Sequence, residues 1–218
     1  MAKVLINGTN RGIGLELVKK FLSEGHDVYA ACRTASEELK ATKAKIFEKI
    51  DVTDEYRIET LLSEIPNIDI LINNAGILKS ETLENLNFNN ITEQFEVNTL
   101  GPLKFISTLL PKLTNGSKIG IVSSKMGSVS DNTSGAYYGY RISKCAVNMM
   151  AKSLSEDLKS QGIAVLILHP GFVRTDMTGG QGFIDPPESA EGLYKIMIEK
   201  SIKETGTFWH TNGENIDW

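Results

Sequence analysis

The chain is poor in the side chains that bind metals and cross-link secreted proteins. Its two cysteines, Cys32 and Cys145, stand alone, and its three histidines, His26, His169 and His210, are equally scattered. They give neither metal-ligand spacing nor a disulfide framework, so no metal site is expected. Long apolar runs are missing, which leaves no candidate for a bilayer-spanning helix. The start, Met-Ala-Lys-Val-Leu-Ile-Asn-Gly, enters a strand pattern at once. It lacks the apolar core and small-residue cleavage site of a signal peptide, which points to the cytoplasm. Positive charge is not in excess. A net charge of −4 argues against nucleic acid or an anionic membrane surface as partner. Internal repeats and linker-like composition are absent as well. The polar stretch 79–90 and the Gly/Pro-rich stretch 178–187 read as surface loops, so residues 1–218 are expected to form one domain.

What is present suits a buried core: 41% hydrophobic and 23% charged residues, the balance of a soluble globular protein. Short apolar runs alternate with longer amphipathic ones. Strands are expected over 3–7, 27–32, 45–51, 68–73, 118–123 and 164–169, with a weaker candidate at 206–209. Helices are expected over 14–23, 54–64, 92–110, 140–159 and 189–200. Ile68-Asp-Ile-Leu-Ile and Ala164-Val-Leu-Ile-Leu are almost continuously apolar, as parallel strands covered on both faces should be. Strands alternating with helices predict an α/β fold with a doubly wound, mostly parallel sheet of seven strands and helices on both faces. In such a sheet, ligands bind beyond the carboxyl ends of the strands.

Four of those ends carry informative residues. After the first strand comes Asn7-Gly8-Thr9-Asn10-Arg11-Gly12-Ile13-Gly14, leading into a helix. Glycines there allow a tight turn and close backbone approach to a pyrophosphate, and the helix N-terminus offers N–H groups to the anion. The second strand ends at Cys32-Arg33, where an enzyme selecting NAD often places an acid for the adenosine ribose. With Arg33 there, Arg11 in the loop and no acidic competitor in the sequence pattern, a 2′-phosphate is the better fit, so NADP(H) is expected over NAD(H). Asp51-Val52 after the third strand and Asn74-Ala75-Gly76 after the fourth fall on the rim of the adenosine half.

Tyr140 and Lys144 stand four apart where a long helix should begin, so their side chains share a face. A phenol titrates near 10, and bringing it to about 7 needs roughly 4 kcal/mol of phenolate stabilisation, which a nearby ammonium can supply. The spacing alone arises by chance in many helices. Ser123, Ser124 and Ser128 are each candidates, on residue type, for a hydroxyl beside it.

Taken together, Gly8/Gly12/Gly14, the run 73–76, Asn98 in Val-Asn-Thr, Ser123-Ser124, Tyr140-x3-Lys144 and Pro170-Gly171 resemble the short-chain dehydrogenase/reductase family over nearly the whole chain. The stretches Gly8-Thr-Asn-Arg-Gly-Ile-Gly-Leu-Glu-Leu, Tyr138-Gly-Tyr-Arg-Ile-Ser-Lys and Thr205-Gly-Thr-Phe-Trp-His-Thr-Asn-Gly-Glu look like its C-factor-like and sniffer-like carbonyl reductases. The resemblance implies a Rossmann-type fold and interconversion of an aldehyde or ketone with an alcohol. It implies Tyr140 as acid or base, Lys144 as the group tuning it and binding the nicotinamide ribose, and Ser124, the second serine of the pair, as holder of the substrate oxygen. Asn98 would support the lysine through water. Gly8, Asn10, Arg11, Gly12, Ile13, Gly14, Arg33, Asp51, Val52, Asn74, Ala75, Gly76, Tyr140, Lys144, Pro170, Gly171, Val173 and Thr175 would line the cofactor, Val173 and Thr175 at its carboxamide. A short segment near 176–187 would cover the substrate as a mobile lid. The C-factor likeness also allows a rival, a dinucleotide-binding regulatory protein with little turnover. Family members often form homo-dimers or tetramers through the long helix carrying the tyrosine. The apolar series Val147, Met150, Ala151, Leu154 and Leu158 fits either that interface or the chain's own core.

Overall fold

A computed structural model describes residues 1–218. Seven strands form one sheet: β1 Lys3–Asn7, β2 Asp27–Ala31, β3 Lys45–Phe47, β4 Ile68–Asn73, β5 Leu113–Val122, β6 Ala164–His169 and β7 Thr207–His210. Their spatial order is β3-β2-β1-β4-β5-β6-β7 and every pairing is parallel. The chain winds outward one way from β1 and the other way from β4, so the carboxyl ends of these two neighbours flank the switch point. Successive residues of β4 explain its unbroken apolar run: Leu71 packs into one core layer, Ile70 and Ile72 into the other.

The helices divide between those layers. α1 Gly12–Ser23, the short α2 Glu37–Lys40 and α7 Pro186–Glu199 cover one face through Leu17, Phe21, Leu39 and Leu193. α3 Glu55–Glu64, α5 Gly101–Leu109 and α6 Tyr138–Lys159 cover the other through Leu61, Phe105 and Val147. In α6, Val147, Ala151 and Leu158 are buried in that core, with Met150 and Leu154 packed against it. The apolar series on this helix belongs to the chain's own interior.

Three expectations need correcting. The single helix over 92–110 is three pieces: α4 Phe88–Phe95, a wide π turn over Glu96–Leu100, and α5. Pro102 has no N–H to return to the Asn98 carbonyl, and the Gly101 N–H reaches back five residues to Glu96 O. The third strand stops at Phe47 rather than at residue 51, because Lys49 turns left-handed (φ 63°). Pairing resumes beyond that kink, with Ile50 N–H on Cys32 O at 3.0 Å, so Asp51 and Val52 still reach the sheet end. α2, missed from sequence, follows Ser36, whose hydroxyl accepts the Leu39 N–H at 3.2 Å.

β6 ends in buried His169, which fastens the loop after β5: its Nδ1 accepts the Lys125 N–H at 3.2 Å, and its ring stands edge-on to His210 at 4.9 Å. Burial pushes its pKa from 6.5 down to about 3, with His210 and Lys125 adding to the fall and Asp131 opposing it. The unfolded chain therefore binds this proton where the folded one does not. Its stabilising contribution is complete above pH 6.5 and is lost as pH falls toward 3. Unfolding free energies from urea titrations between pH 7 and 4 should fall for the wild type by as much as about 1.4 kcal/mol per pH unit more steeply than for His169→Asn, whose oxygen can take the Lys125 N–H without titrating. Parallel slopes would remove His169 as the cause.

Candidate active site

Between β1 and α1 the backbone turns through Gly8 (φ 70°) and Gly12 (φ 55°). A methyl group on Gly8 would stand 2.7 Å from the Ala75 backbone, and one on Gly14 would overlap Gly8 O and the Asn74 amide. Both glycines are required because the β1 and β4 loops lie against each other. Asn7 fastens the pair. Its Oδ1 accepts the N–H groups of Asn74 (2.9 Å) and Ala75 (2.8 Å), and its Nδ2 donates to Asn73 Oδ1 (2.7 Å). Asn74 Nδ2 completes the contact on Gly8 O at 3.0 Å. The N-cap of α1, Arg11, makes no side-chain cap, which leaves the helix start open to an anion.

From this loop a cleft of 1120 Å³ runs over the strand ends. One side is lined by Arg33, Asp51, Val52 and Ala75, the other by Gly76, Tyr140, Lys144, Pro170 and Thr175. That volume, the glycine turn and the uncapped helix start fit a dinucleotide with a small molecule beside it.

At the inner end lie Tyr140 (8% exposed) and Lys144 (5% exposed), one turn apart on α6. The Ser124 hydroxyl lies beside the Tyr140 phenol and accepts the Met126 N–H at 3.1 Å. Ser123 instead turns its hydroxyl to Asn148 on α6, and Ser128 bonds Ser130 at 3.0 Å. Among the three serines, Ser124 is the one at the phenol. Lys144 Nζ donates to Val122 O at 2.9 Å and lies 5.7 Å from the Tyr140 ring centre. Burial pushes the phenol up to about 12, with Ser124 pulling it down, and burial drops the ammonium to about 8. The expectation that lysine lowers the tyrosine pKa is therefore not met in the protein alone: desolvation favours the neutral form of both. Asn98 lies behind them in the π turn, buried. Its Oδ1 accepts Ile77 N–H (2.8 Å), and its Nδ2 donates to Ile77 O (2.9 Å) and Ser143 Oγ (3.0 Å). A methyl group on Gly76 would sit 3.2 Å from Asn98 Oδ1 and 3.7 Å from Lys144 Nζ.

Most of the residues named from sequence converge on this cleft. Gly14, Asn98, Ser124, Gly171 and Val173 stand behind its surface: Gly14 under the loop, Gly171 and Val173 against Ile184. The arginines depart from expectation. Arg11 pairs with Asp176 at 2.9 Å across the cleft mouth, Arg33 lies 4.0 Å from Asp51, and Glu37 and Glu38 also line that end. Acidic competitors are thus present, brought in by α2 and by the segment after β6. That segment is tied down: Thr178 Oγ1 donates to Val173 O (2.8 Å), Arg174 pairs with Asp185 (3.0 Å), and Phe183 N–H bonds Phe172 O (2.7 Å). Sequence reading missed Ile77, Val97, Val122 and Glu96 as cleft residues, and Asn7 as the clasp of the loops. Ser36-Glu-Glu, a helix-start pattern just after β2, was a usable signal for the acidic rim.

Residues 2–182 match the short chain dehydrogenase family. The chain is 36% identical, over the full length of both proteins, to the 1-hydroxy-2-glutathionyl-2-methyl-3-butene dehydrogenase of Rhodococcus sp. (strain AD45). It is 36% identical to the C-signal protein of Myxococcus xanthus over 69% of this chain and 93% of that one. The structure of an NADPH-bound carbonyl reductase from chicken fatty liver superposes on all of this chain and 99% of its own, with a TM-score of 0.91 and 29% identity. The family match, the relatives and the sheet order agree: the chain belongs to the short-chain dehydrogenase/reductase family of oxidoreductases.

Proposed function

We propose that the protein is an NADP(H)-dependent reductase of small aldehydes or ketones, reversible in principle. The observation that carries this reading is the meeting of the Tyr140 and Ser124 hydroxyls, buried beside Lys144, at the inner end of a cleft that starts at the glycine loop. Gly8, Asn10, Arg11, Gly12, Ile13 and Gly14 would hold the pyrophosphate side of the dinucleotide. Arg33 would take the 2′-phosphate, with Asp51, Val52, Asn74, Ala75 and Gly76 around the adenosine half. Lys144, Pro170, Gly171, Val173 and Thr175 would set the nicotinamide half, and the segment 176–187 would cover the substrate. When bound, the nicotinamide supplies or accepts hydride.

The chain's own side chains manage the proton. Ser124 positions a carbonyl oxygen by donating to it and stabilises charge developing there. Tyr140, held neutral by burial, is protonated at physiological pH and is ready to donate to that oxygen as it turns into an alkoxide. The same raised pKa leaves little phenolate at neutral pH, so in the protein alone Tyr140 is poised to give its proton rather than to take one. Asn98, clamped by Ile77 and Ser143, holds the wall behind the lysine. Arg33 is 77% exposed on its side chain, with its carboxylate neighbour at the limit of ion pairing, and so is free to turn to a phosphate. The NADPH in the chicken enzyme and the alcohol named in the Rhodococcus one support the same chemistry. The C-signal relative supports the regulatory rival, which turnover decides.

Consumption of NADPH over a panel of aldehydes and ketones should be detectable, and Tyr140→Phe should lower kcat by about 10²- to 10⁴-fold. Its NADPH affinity should stay within about threefold of wild type. Wild-type turnover by this variant would sink the mechanism; tight NADPH binding with no substrate turned over would favour the regulatory reading. For the cofactor preference, Arg33→Ala should weaken NADPH by about 10- to 100-fold and leave NADH unchanged. Equal losses for both would show that Arg33 does not read the phosphate.

A further inference from the structure

The helix that carries Tyr140 begins without a cap of its own. Its N-cap residue Tyr137 is left-handed (φ 52°), follows a left-handed Ala136 (φ 51°), and offers no side-chain hydrogen bond. Two such non-glycine residues in succession are strained and stay so only where the surroundings over-determine them. The partner comes from the loop after β4. Tyr137 N–H donates to the main-chain oxygen of Glu81 at 2.8 Å, and Gly139 N–H donates to Glu81 Oε2 at 3.2 Å. Glu81 is 1% exposed. Its other oxygen, Oε1, accepts from Gln94 Nε2 at 2.9 Å, and Gln94 Oε1 accepts the Lys79 N–H at 2.8 Å. Gln94, on α4, is fully buried.

The direction of each bond is fixed by chemistry. A backbone N–H can only donate, so Lys79 orients the Gln94 amide with its NH₂ toward Glu81, and Gly139 brings a second donor to the same group. Only a side chain that accepts on both atoms satisfies the pair. Gly139 makes the approach possible, because a methyl group there would overlap Gln94 Nε2 and stand 2.9 Å from Ile91 Cα. The next residue is Tyr140. A second brace joins the same elements one turn on: Asn98 Nδ2 donates to Ser143 Oγ, which donates to Tyr140 O at 2.8 Å.

We infer that Glu81 is a positioning residue for Tyr140: its buried carboxylate caps the catalytic helix and, through Gln94, locks that helix to the α4–π-turn unit holding Asn98. The inference rests on Tyr140 being the proton donor. Its effect falls mainly on kcat, since misplacing a reacting group by about 1 Å costs up to about 100-fold, while most of the cleft lining, from the glycine loop to the ends of β2 and β3, lies outside this brace.

The test measures kcat, KM and NADPH affinity for the full chain and four variants: Glu81→Gln, Gln94→Glu, the two combined, and Tyr140→Phe. Glu81→Gln sets amide donor against amide donor, and Gln94→Glu sets carboxylate against carboxylate. Each should lose about tenfold or more in kcat, with KM and NADPH affinity held within about threefold. The double variant puts an amide oxygen opposite Gly139 and a carboxylate opposite Lys79, so the three bonds from Gly139 to Lys79 can re-form and only the longer donation from position 94 to Asn90 O (3.3 Å) is lost. It should recover to within about threefold of wild-type kcat. Wild-type kcat in Glu81→Gln, a double variant as impaired as the singles, or a matching loss of NADPH affinity would each overturn the assignment. Should either single variant fail to fold, activity of the double decides, because only a restored bond pattern revives it. If Tyr140→Phe keeps wild-type turnover, the proton-donor reading falls and the positioning role falls with it. If that variant is dead while Glu81→Gln is unaffected, only Glu81 is excluded.

Discussion

Desolvation of one phenol and one ammonium is the constraint around which the site is organised. Tyr140 and Lys144 share a wall that water scarcely reaches, and each is biased toward its neutral form. In water a phenol near pH 7 would exchange its proton with solvent, and a lysine would carry its charge wherever it stood. Within this wall the proton on Tyr140 is retained, with the Ser124 hydroxyl beside it. The lysine is anchored to Val122 O rather than to the phenol. A low local dielectric makes any charge brought into the cleft act strongly on both groups. The resting site is therefore set for donation, and its basicity is placed under the control of whatever binds there.

The sheet supplies that environment. Parallel strands buried on both faces end together, and their loops converge where β1 and β4 part company. Glycines at 8 and 14 let those loops touch, and Asn7 clasps them. On the far side, the π turn aims Asn98 at Ile77 and Ser143, while Glu81 and Gln94 hold the start of α6. Few of these groups touch the cleft itself. They keep side chains that do touch it in one arrangement, and the buried polar groups of the clasp and the brace have partners, Asn73 Nδ2 excepted.

Much of this could be read from sequence, and the failures have physical causes. The apolar runs of β4 and β6 and the glycine spacing announced a parallel sheet with a nucleotide end, because burial on both faces and close backbone approach leave direct traces in residue type. Tyr140 and Lys144 were legible once strand ends placed them in context. Helical periodicity could not reveal the break at residues 96–100, since a π turn shifts the pattern by one residue and Pro102 reads equally as a helix start. The pairing of Arg11 with Asp176 was invisible because the two lie 165 residues apart and meet only through the fold. Glu81 and Gln94 look like ordinary surface polars in the sequence. Only tertiary packing shows them buried against Gly139.

A charge brought into this desolvated wall with the dinucleotide should move the phenol directly. Ultraviolet or carbon-13 titration of the Tyr140 phenol, isolated by difference against Tyr140→Phe, reads that response without and with saturating NADP⁺. The account predicts ionisation well above pH 10 for the protein alone and a fall of at least about two pH units with the cofactor, equivalent to roughly 3 kcal/mol of phenolate stabilisation. A phenol that ionises at its ordinary pH in the protein alone, or whose ionisation does not move on cofactor binding, would contradict it.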